Sequence, residues 1–415
     1  MHLLMHRLTG SSASAIIPRM APQSREHPAD GWHTFDAVVG GECIHVVTRP
    51  GFPGWDGFGA PNELLADAVE VVPGSRILLL CAGHGALGAY LARRAAAQMM
   101  LGDTWEPALA AARRTLVANG VAATVHDALD LPGAAAGSFD IVTLVVPPSR
   151  GLARMWLRAA RDALRPGGRL YLAGHNDEGI RPVIDDAAAL FGSATLLAYR
   201  RRCRVALASK TEANGDPDWA HLPGIAPGTW QTFSVETGGE RYDIRSLPGI
   251  FSYDRLDDGT RLLLETMPDP AGARVLDVGC GYGLLGLAAA RRGARRVDML
   301  DASTLAIAAA RANVTAAGLQ RVEVLLSDGL AAVSGRVYDM ALSNPPFHAG
   351  KTIDDRVARG FIANTYNLLA PDGRLVLVAN RFLPYEAAIR VRYGHVETLA
   401  VSRGYHVLSA LKSRA

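Results

Sequence analysis

Hydrophobic residues occur along this 415-residue chain as short apolar runs that alternate with longer stretches rich in Ala, Leu and Arg. The run Arg274–Val278 ends just before a cluster of glycines, which predicts a buried strand followed by a tight turn. An Ala- and Leu-rich stretch then predicts a helix, and the next apolar run ends in an acidic residue. Strands that alternate with helices predict an α/β fold whose parallel sheet is covered on both faces. Ligands of such sheets bind at the carboxyl ends of the strands.

The same pattern occurs twice in the chain. The segment 75–94 aligns with 273–292 at a constant offset of 198 residues, and three glycines of each segment coincide. Asp103 aligns with Asp301 at the same offset, and LRPGGRLYLAGH resembles LAPDGRLVLVAN further along. Self-similarity over this length indicates an internal duplication of one α/β unit.

Two polar segments suggest where the duplicated units begin and end. The N-terminal segment is rich in Ser, Pro, Ala and Met and lacks a continuous apolar stretch, so we expect a disordered leader and no signal peptide. A Gly- and Pro-rich stretch from Thr211 to Gly228 predicts a linker. The predicted division is therefore a leader, a first domain, a linker and a second domain, at residues 1–30, 31–210, 211–230 and 231–415.

Composition excludes several classes of protein. No apolar run reaches the ~18–20 residues of a membrane helix, which excludes a membrane-spanning protein. The net charge of +3, from 43 basic and 40 acidic residues, is too balanced for a surface that binds nucleic acid everywhere, but it permits a local basic patch. The cysteines have neither C-x-x-C pairing nor ligand-like spacing, so we expect reduced thiols in a cytosolic protein and no metal site; they are Cys43, Cys81, Cys203 and Cys280.

The second half contains a glycine-rich turn, VLDVGCGYG, that is typical of a nucleotide-binding site. Its glycines, Gly279, Gly281 and Gly283, allow the backbone to approach a ligand at the start of the following helix. The spacing of Gly281, Gly283 and Gly286 also satisfies the dinucleotide pattern, with Asp301 at the position of a ribose-binding acid. An NAD-dependent oxidoreductase is therefore still open from this motif alone.

Three acidic residues follow successive predicted strands and favour a different ligand. Asp277 lies directly before the glycine turn, where an anion would repel a pyrophosphate but would attract the ammonium group of S-adenosylmethionine. Asp301 suits a ribose diol, and Asp328 suits an adenine amino group. A helix cap is the structural alternative for each acid taken singly.

The motif Ser343–His348, SNPPFH, follows another apolar strand. Asn344 offers a side-chain carbonyl and Pro345 a backbone carbonyl, so two acceptors could converge on one planar amino group. Phe347 offers a face on which a base could stack. His348 is a candidate substrate contact, with a packed or solvent-facing ring as the alternative.

With these motifs, the second half resembles the class I S-adenosylmethionine-dependent methyltransferases that have an Asn-Pro-Pro-Phe active site. More narrowly, it resembles the bacterial ribosomal RNA guanine-N2 methyltransferases, which include a small-subunit enzyme and its large-subunit paralogue. The matching stretches lie between residues 246 and 386; they are SLPGIFSYDRLDDGTRLLLETM, VLDVGCGYGLLG, SNPPFHAGK and VANRFLPYE.

The resemblance implies two tandem Rossmann-like class I methyltransferase domains, the first of them degenerate. It implies that S-adenosylmethionine is bound by Asp277, Gly279, Gly281, Gly283, Asp301, Asp328 and Asn344. Catalysis is expected from Asn344, Pro345 and Phe347, with Phe347 and His348 against the substrate. The expected reaction is methylation of the exocyclic N2 of a guanosine in ribosomal RNA, on the 16S RNA of the small subunit. The expected enzyme is a cytoplasmic monomer whose partner is ribosomal RNA or a ribosomal subunit.

The first half lacks the residues that this chemistry needs. At the duplicated positions Leu79 replaces Asp277 and Val146 replaces Asn344. Cys81 and Ser149 likewise replace Gly279 and Phe347. We therefore expect a catalytically inactive domain that supports folding or holds RNA, and that leaves cofactor binding to the second half alone. Its one dense basic cluster is the candidate RNA contact: Arg200, Arg201, Arg202 and Arg204.

Other functions remain as alternatives at this point. A large-subunit guanine-N2 methyltransferase would share every motif. An adenine-N6 or protein-glutamine methyltransferase uses a similar Asn-Pro-Pro-aromatic site, although the PGIFS element and the duplicated first half disfavour it. A non-catalytic RNA-binding assembly factor is the alternative of a different class, and retention of Asp277, Asp301, Asp328 and Asn344 disfavours it.

Overall fold

The structure is a computed structural model that describes residues 31–50, 52, 54–95, 97–130, 136–211, 215–345 and 355–414. The predicted leader lies outside the described residues. In the described part, two α/β domains follow one another along the chain, as the duplication predicts.

The first domain begins with a hairpin and continues with alternating strands and helices. Its elements are β1 (His33–Val39), β2 (Glu42–Thr48), α1 (Ala60–Ala68), β3 (Arg76–Leu80), α2 (Ala86–Ala95), β4 (Gln98–Asp103), α3 (Glu106–Ala118), β5 (Thr124–Asp127), β6 (Phe139–Val145), α4 (Arg150–Ala163), β7 (Leu164–His175), α5 (Ile180–Phe191), β8 (Thr195–Arg200) and β9 (Cys203–Ser209).

The second domain repeats these elements in the same order. They are β10 (Gln231–Thr237), β11 (Glu240–Ser246), α6 (Asp258–Thr266), β12 (Arg274–Val278), α7 (Leu284–Arg291), β13 (Arg296–Asp301), α8 (Thr304–Ala316), β14 (Val322–Leu326), β15 (Tyr338–Ser343), α9 (Asp355–Leu368), β16 (Leu369–Asn380), α10 (Tyr385–Tyr393), β17 (Glu397–Ser402) and β18 (Tyr405–Leu411). None of the helices in the described residues is long and apolar enough to cross a membrane.

Each domain is built on a seven-stranded sheet. The orders are β5-β4-β3-β6-β7-β9-β8 in the first and β14-β13-β12-β15-β16-β18-β17 in the second. The second sheet is parallel from β14 to β16, as the alternation of strands and helices predicts, and it has an antiparallel edge, where β18 pairs with both β16 and β17. The cause is a tight turn at Arg403 and Gly404, both with positive φ, which folds β18 back along β17. An all-parallel dinucleotide-binding sheet lacks this feature.

The duplication extends further towards the N-terminus than the sequence comparison indicates. The hairpins β1–β2 and β10–β11 are both antiparallel and lie at the same offset in the two halves. They are also attached in the same way. Val47 N donates to Thr115 Oγ1 at 3.0 Å, and its counterpart Arg245 N donates to Asn313 Oδ1 at 2.8 Å. Each hairpin is therefore held against the helix that follows the second strand of its sheet.

The segment predicted as a linker joins the two domains but packs closely against the first. Trp219 and Ile225 are buried in the core beneath α4. Asp216 accepts a hydrogen bond from Arg158 at 2.6 Å and another from Arg161. Apolar burial and ion pairing together attach this part of the segment to the first domain.

The two domains meet at equivalent residues. Trp105 and Ser303, which correspond in the duplication, form an isolated antiparallel bridge. On either side of it, Glu106 N donates to Ala302 O and Thr304 N donates to Thr104 O, each at 2.8 Å. The interface therefore has local two-fold pseudosymmetry, and it lies where β4 and β13 end.

Candidate active site

A cavity of about 520 Å³ lies at the carboxyl ends of the strands of the second domain. Its lining comes from the loops after β12, β13, β14 and β15, from the segment before α6, and from one residue of the first domain. The lining residues are Trp105, Gly249, Ile250, Phe251, Thr260, Val278, Gly279, Cys280, Gly281, Tyr282, Leu284, Leu285, Leu300, Asp301, Ala302, Ser303, Ala306, Ser327, Gly329, Asn344 and Pro345. This is the edge at which such sheets bind their ligands.

The glycine loop has the backbone that its sequence predicts. Gly279, Gly281 and Gly283 have φ values of +70°, +55° and +90°, which L residues rarely adopt. Gly279 and Gly281 line the cavity, so the backbone itself forms the wall. Gly283 begins α7, and a Cβ there would lie 3.2 Å from the Ala310 Cβ. Two of the glycines thus line the space that a ligand would occupy, whereas the third permits close helix packing.

Asp301 lies at the end of β13 and lines the cavity. Its Oδ2 accepts from Gly281 N and its Oδ1 accepts from Ser303 N, each at 2.9 Å. Burial raises the pKa of this carboxyl above its usual range, while these N–H donors act to lower the pKa. A carboxylate has about four acceptor sites. Asp301 can therefore hold the glycine loop and still accept bonds from a ribose.

Asp277 lies behind the glycine loop and does not line the cavity. It is fully buried in β12, and its Oδ2 accepts from Gly286 N at 2.9 Å. Its Oδ1 is buried with no hydrogen-bond partner. Burial, with a smaller effect of the Asp301 charge, raises the pKa of Asp277 to about 7. A cationic ligand nearby would stabilise the ionised form of this carboxyl, and a role of Asp277 in binding the cofactor stays a prediction.

The raised pKa of Asp277 makes the stability of the chain depend on pH. An unfolded Asp ionises near ~3.9, whereas Asp277 in the folded protein keeps its proton to about pH 7. The folded state therefore binds more protons in this interval, and stability falls as pH rises through it. We expect Asp277→Asn to remove this contribution, which is at most about 4 kcal/mol. Melting temperatures at pH 5 and pH 8 measure it. The melting temperature of the variant, relative to that of the natural protein, should be higher at pH 8 than at pH 5. The same difference at both pH values would contradict the prediction.

Asp328 follows β14, as predicted, and pairs with a residue of the first domain. It is near the cavity, which its neighbours Ser327 and Gly329 line, but its own side chain is not part of the lining. Its Oδ1 accepts a hydrogen bond from Arg49 of the first domain. A role of Asp328 in binding adenine stays a prediction, and its observed contact is an ion pair between the domains.

Asn344 lines the cavity, and its amide group is held by two residues of the same domain. Its Nδ2 donates to Thr260 Oγ1 at 2.8 Å and to Asp257 Oδ2 at 3.2 Å. Because both partners accept, the amide nitrogen is fixed on their side, and Oδ1 is buried with no hydrogen-bond partner among the described residues. An unpaired buried acceptor is costly unless a ligand satisfies it. Pro345 lies beside Asn344 in the cavity wall.

Asp257 and Thr260 are functional residues that the sequence analysis missed. Asp257 is the N-cap of α6, where it accepts from Thr260 N at 2.9 Å. The sequence places both in the stretch 246–267 that carries the family resemblance, but gives no sign that they contact Asn344. Trp105 was missed as well, because it belongs to the half that lacks catalytic residues.

Phe347 and His348 lie outside the described residues, as does the second proline of the motif. Their expected contacts with the substrate stay predictions. The described part of the motif, Asn344 and Pro345, is where the sequence places it, directly after β15.

The corresponding position in the first domain is filled by apolar residues. Leu79 is fully buried and Val146 is nearly so. Cys81 keeps the positive φ of the glycine that it replaces, at 56°, and Ser149 caps α4. Phe52 is buried, and its ring lies 3.9 Å from the Cβ position of Gly83. The loop geometry is retained, but neither Leu79 nor Val146 offers an acceptor to an amine.

The four arginines of the basic cluster are paired within the protein. Arg200 contacts Asp67 at 2.9 Å, Arg201 contacts Glu63 at 2.9 Å and Arg202 contacts Asp177 at 2.6 Å. Arg204 donates to Asn176 Oδ1 at 2.9 Å and lies over the Tyr199 ring. These contacts compete with phosphate, so an RNA-binding role for the cluster stays a prediction.

One group within the described residues has the composition of a metal site: Asp36, Cys43 and His45 lie within 4.8 Å of one another. All three are exposed on the β1–β2 hairpin, and His45 pairs with Asp36 across the strands at 2.6 Å. The group was not predicted, and it is separate from the cavity lining.

Comparison with known proteins agrees with this architecture. The methyltransferase small domain model matches the chain twice, at residues 43–206 and 241–409. The ribosomal RNA small subunit methyltransferase C of Chromohalobacter salexigens is 39% identical over 272 residues, which cover 65% of this chain and 77% of that protein. The protein of the same name from Hahella chejuensis is 33% identical over 293 residues, 68% and 80% of the two chains.

A solved structure agrees over almost the whole chain. It is the T. thermophilus 16S rRNA N2 G1207 methyltransferase in complex with AdoMet and guanosine. The two chains are 31% identical, with a TM-score of 0.76, and the match covers 92% of this chain and 98% of the other.

Proposed function

The chain belongs to the methyltransferase small domain family, and we propose that it methylates the exocyclic N2 of a guanosine in 16S ribosomal RNA with S-adenosylmethionine. The observation that carries the proposal is the buried Oδ1 of Asn344, a cavity-lining residue, which has no hydrogen-bond partner within the described part of the chain. It is supported by relatives named as small-subunit ribosomal RNA methyltransferases and by the similar structure that contains AdoMet and guanosine.

The residues present fit this cofactor. The cavity combines apolar walls with the carboxylate of Asp301, and the buried Asp277 adds a second carboxyl whose Oδ1 is unpartnered. Asp301 would bind the ribose, and the backbone of Gly279 and Gly281 would contact the ligand. When bound, S-adenosylmethionine supplies an electrophilic methyl group on a positively charged sulfur.

The chemistry of this chain is mainly positioning. Asn344 Oδ1 and the Pro345 carbonyl accept hydrogen bonds from the two N–H groups of the guanine amino group. They hold its nitrogen in line with the methyl donor. Asp257 and Thr260 keep the amide of Asn344 in this orientation. As the new C–N bond formed and the sulfur–methyl bond of the donor broke, the amino group would become acidic and release one proton to solvent, so a strong general base is not required. A guanosine in structured RNA must be unpaired or flipped to reach the site.

The first domain is proposed to have no cofactor site of its own. Leu79 and Val146 provide no polar contact, and Phe52 occupies the space next to Gly83. We therefore expect one mole of S-adenosylmethionine to bind per mole of chain. Isothermal titration of the full chain gives this number directly, and a stoichiometry near two would show that the first domain has kept a working site.

We propose small-subunit RNA rather than large-subunit RNA as the substrate because the relatives and the similar structure have small-subunit or 16S in their names. A cytoplasmic location follows from that substrate, and the monomeric state is part of the same proposal. Adenine-N6 and protein-glutamine methylation are the enzyme alternatives that share the Asn-Pro-Pro motif.

The test is a methyl-transfer assay on ribosomal material from a strain that lacks this gene. Purified chain and labelled S-adenosylmethionine are incubated in parallel with naked 16S RNA, naked 23S RNA and each assembled subunit. Nucleoside digestion and mass spectrometry then identify the product. N2-methylguanosine in 16S RNA or in the small subunit supports the proposal, whereas label only in 23S RNA, in N6-methyladenosine or in protein contradicts it.

A further inference from the structure

Trp105 is the one residue of the first domain in the cavity lining described above. It lines the cavity together with Asp301, Ala302 and Ser303, at the end of β13 where Asp301 would bind the ribose. An indole ring next to a ribose site is a surface on which an adenine can stack.

The position of Trp105 is fixed from several directions. Its backbone forms the bridge with Ser303, and its backbone N–H donates to Asp103 Oδ1 at 3.1 Å. Its ring packs against the buried Phe52, with ring centroids 5.2 Å apart. The retained Asp103 thus has a structural role in the first domain, since it holds the turn that presents the indole.

The second-domain residues that directly follow Asp301 have small side chains. Ala302 has a side chain of one methyl group, and Ser303 is the N-cap of α8. The aromatic residues that the second domain contributes to the lining, Phe251 and Tyr282, belong to other segments. Beside Ala302 and Ser303, the large flat side chain in the lining is that of Trp105.

Other parts of the first domain contact residues in or next to the lining of the same cavity. Arg49 pairs with Asp328, next to the lining residues Ser327 and Gly329. The start of α4 packs against the segment before α6: a Cβ on Gly249, a lining residue, would lie 3.0 Å from Leu152. The first domain therefore contacts the cavity walls on more than one side.

From these contacts we infer that Trp105 forms the adenine wall of the cofactor pocket, so that the inactive domain completes the active site. The inference rests on the proposed function, because it takes an adenosyl ligand as the occupant. It modifies the expectation from the sequence that cofactor binding is left to the second half alone.

The experiment uses the full chain and S-adenosylhomocysteine as the probe. Trp105→Ala should weaken binding about 5- to 100-fold, the range found when an aromatic residue beneath a base is truncated. Trp105→Phe should recover most of the affinity, because phenylalanine also offers an aromatic face. Trp55→Ala is the matched control, since Trp55 packs on the same Phe52 cluster but does not line the cavity; its affinity should stay within two-fold.

Fluorescence adds a readout that a merely structural role would not change. Adenine stacked on Trp105 should quench indole emission, and the quench should be lost in Trp105→Phe although that variant still binds. Unchanged affinity of Trp105→Ala, or a full quench in Trp105→Phe, would overturn the inference. If the natural chain does not bind S-adenosylhomocysteine, the proposed function fails instead, and calorimetry distinguishes the two results.

Discussion

Asn344→Ala should lower kcat about 10²- to 10³-fold while the affinity for S-adenosylhomocysteine stays within a few-fold. The variant loses an acceptor that is buried and has no partner among the residues that the structure describes, and that acceptor is proposed to bind the amino group of the base. Losses of this size are typical when one preorganised hydrogen bond to the reacting group is removed. A methyl-transfer assay and isothermal titration measure the two quantities.

Two further variants make this prediction specific. Val146→Ala removes the counterpart of Asn344 in the first domain and should leave kcat unchanged. Thr260→Val keeps the shape of the side chain but removes the acceptor at 2.8 Å from Asn344 Nδ2, so the amide should lose part of its orientation and kcat should fall by less than in Asn344→Ala. Full activity of Asn344→Ala would contradict the proposed mechanism.

The parts of the fold that depend on local pattern were predictable from the sequence. Arg274–Val278 is a strand with the predicted bounds, and the glycines after it have the positive φ values that their type suggests. The duplication was visible because both halves keep the residues that form the turns. In these places the conformation is decided by residues that are neighbours along the chain.

The antiparallel edge and the two hairpins were missed for a different reason. The sequences of β16, β17 and β18 contain enough apolar and β-branched residues to predict three strands. The order of these strands in the sheet depends on how a hairpin is inserted at the edge. The hairpins β1–β2 and β10–β11 share a Thr-Phe pair and a Gly-Gly-Glu turn at the offset of 198 residues. Their shared attachment to α3 and α8 shows that they are structurally equivalent.

The site was predictable as a set of residues but not as a set of contacts. Asn344 and Asp301 lie at the cavity as expected, whereas Asp277 lies behind the loop and Asp328 pairs with Arg49. The partners that orient Asn344 are more than 80 positions away in sequence, at Asp257 and Thr260. Contacts over such separations follow from the packing of the domains, and one sequence does not specify them.

Asp301→Ala should weaken cofactor binding by about 1.5–3 kcal/mol, or roughly 10- to 150-fold, through the loss of charge-assisted hydrogen bonds to the ribose. The carboxylate lines the cavity and has acceptor sites beyond the two that Gly281 N and Ser303 N occupy. Calorimetry with S-adenosylhomocysteine measures the loss.

Because Asp301 also holds the glycine loop, the ribose contact must be separated from this structural role. The matched control is on the ligand: the 2′-deoxyribose analogue of S-adenosylhomocysteine lacks one of the hydroxyl groups that the carboxylate should bind. The natural chain should bind the analogue more weakly than the parent ligand, whereas Asp301→Ala, which has already lost that bond, should bind both equally. An equal preference for the hydroxyl in both proteins would show that Asp301 acts only on the loop, since a coupling between residue and hydroxyl exists only if the two are in contact.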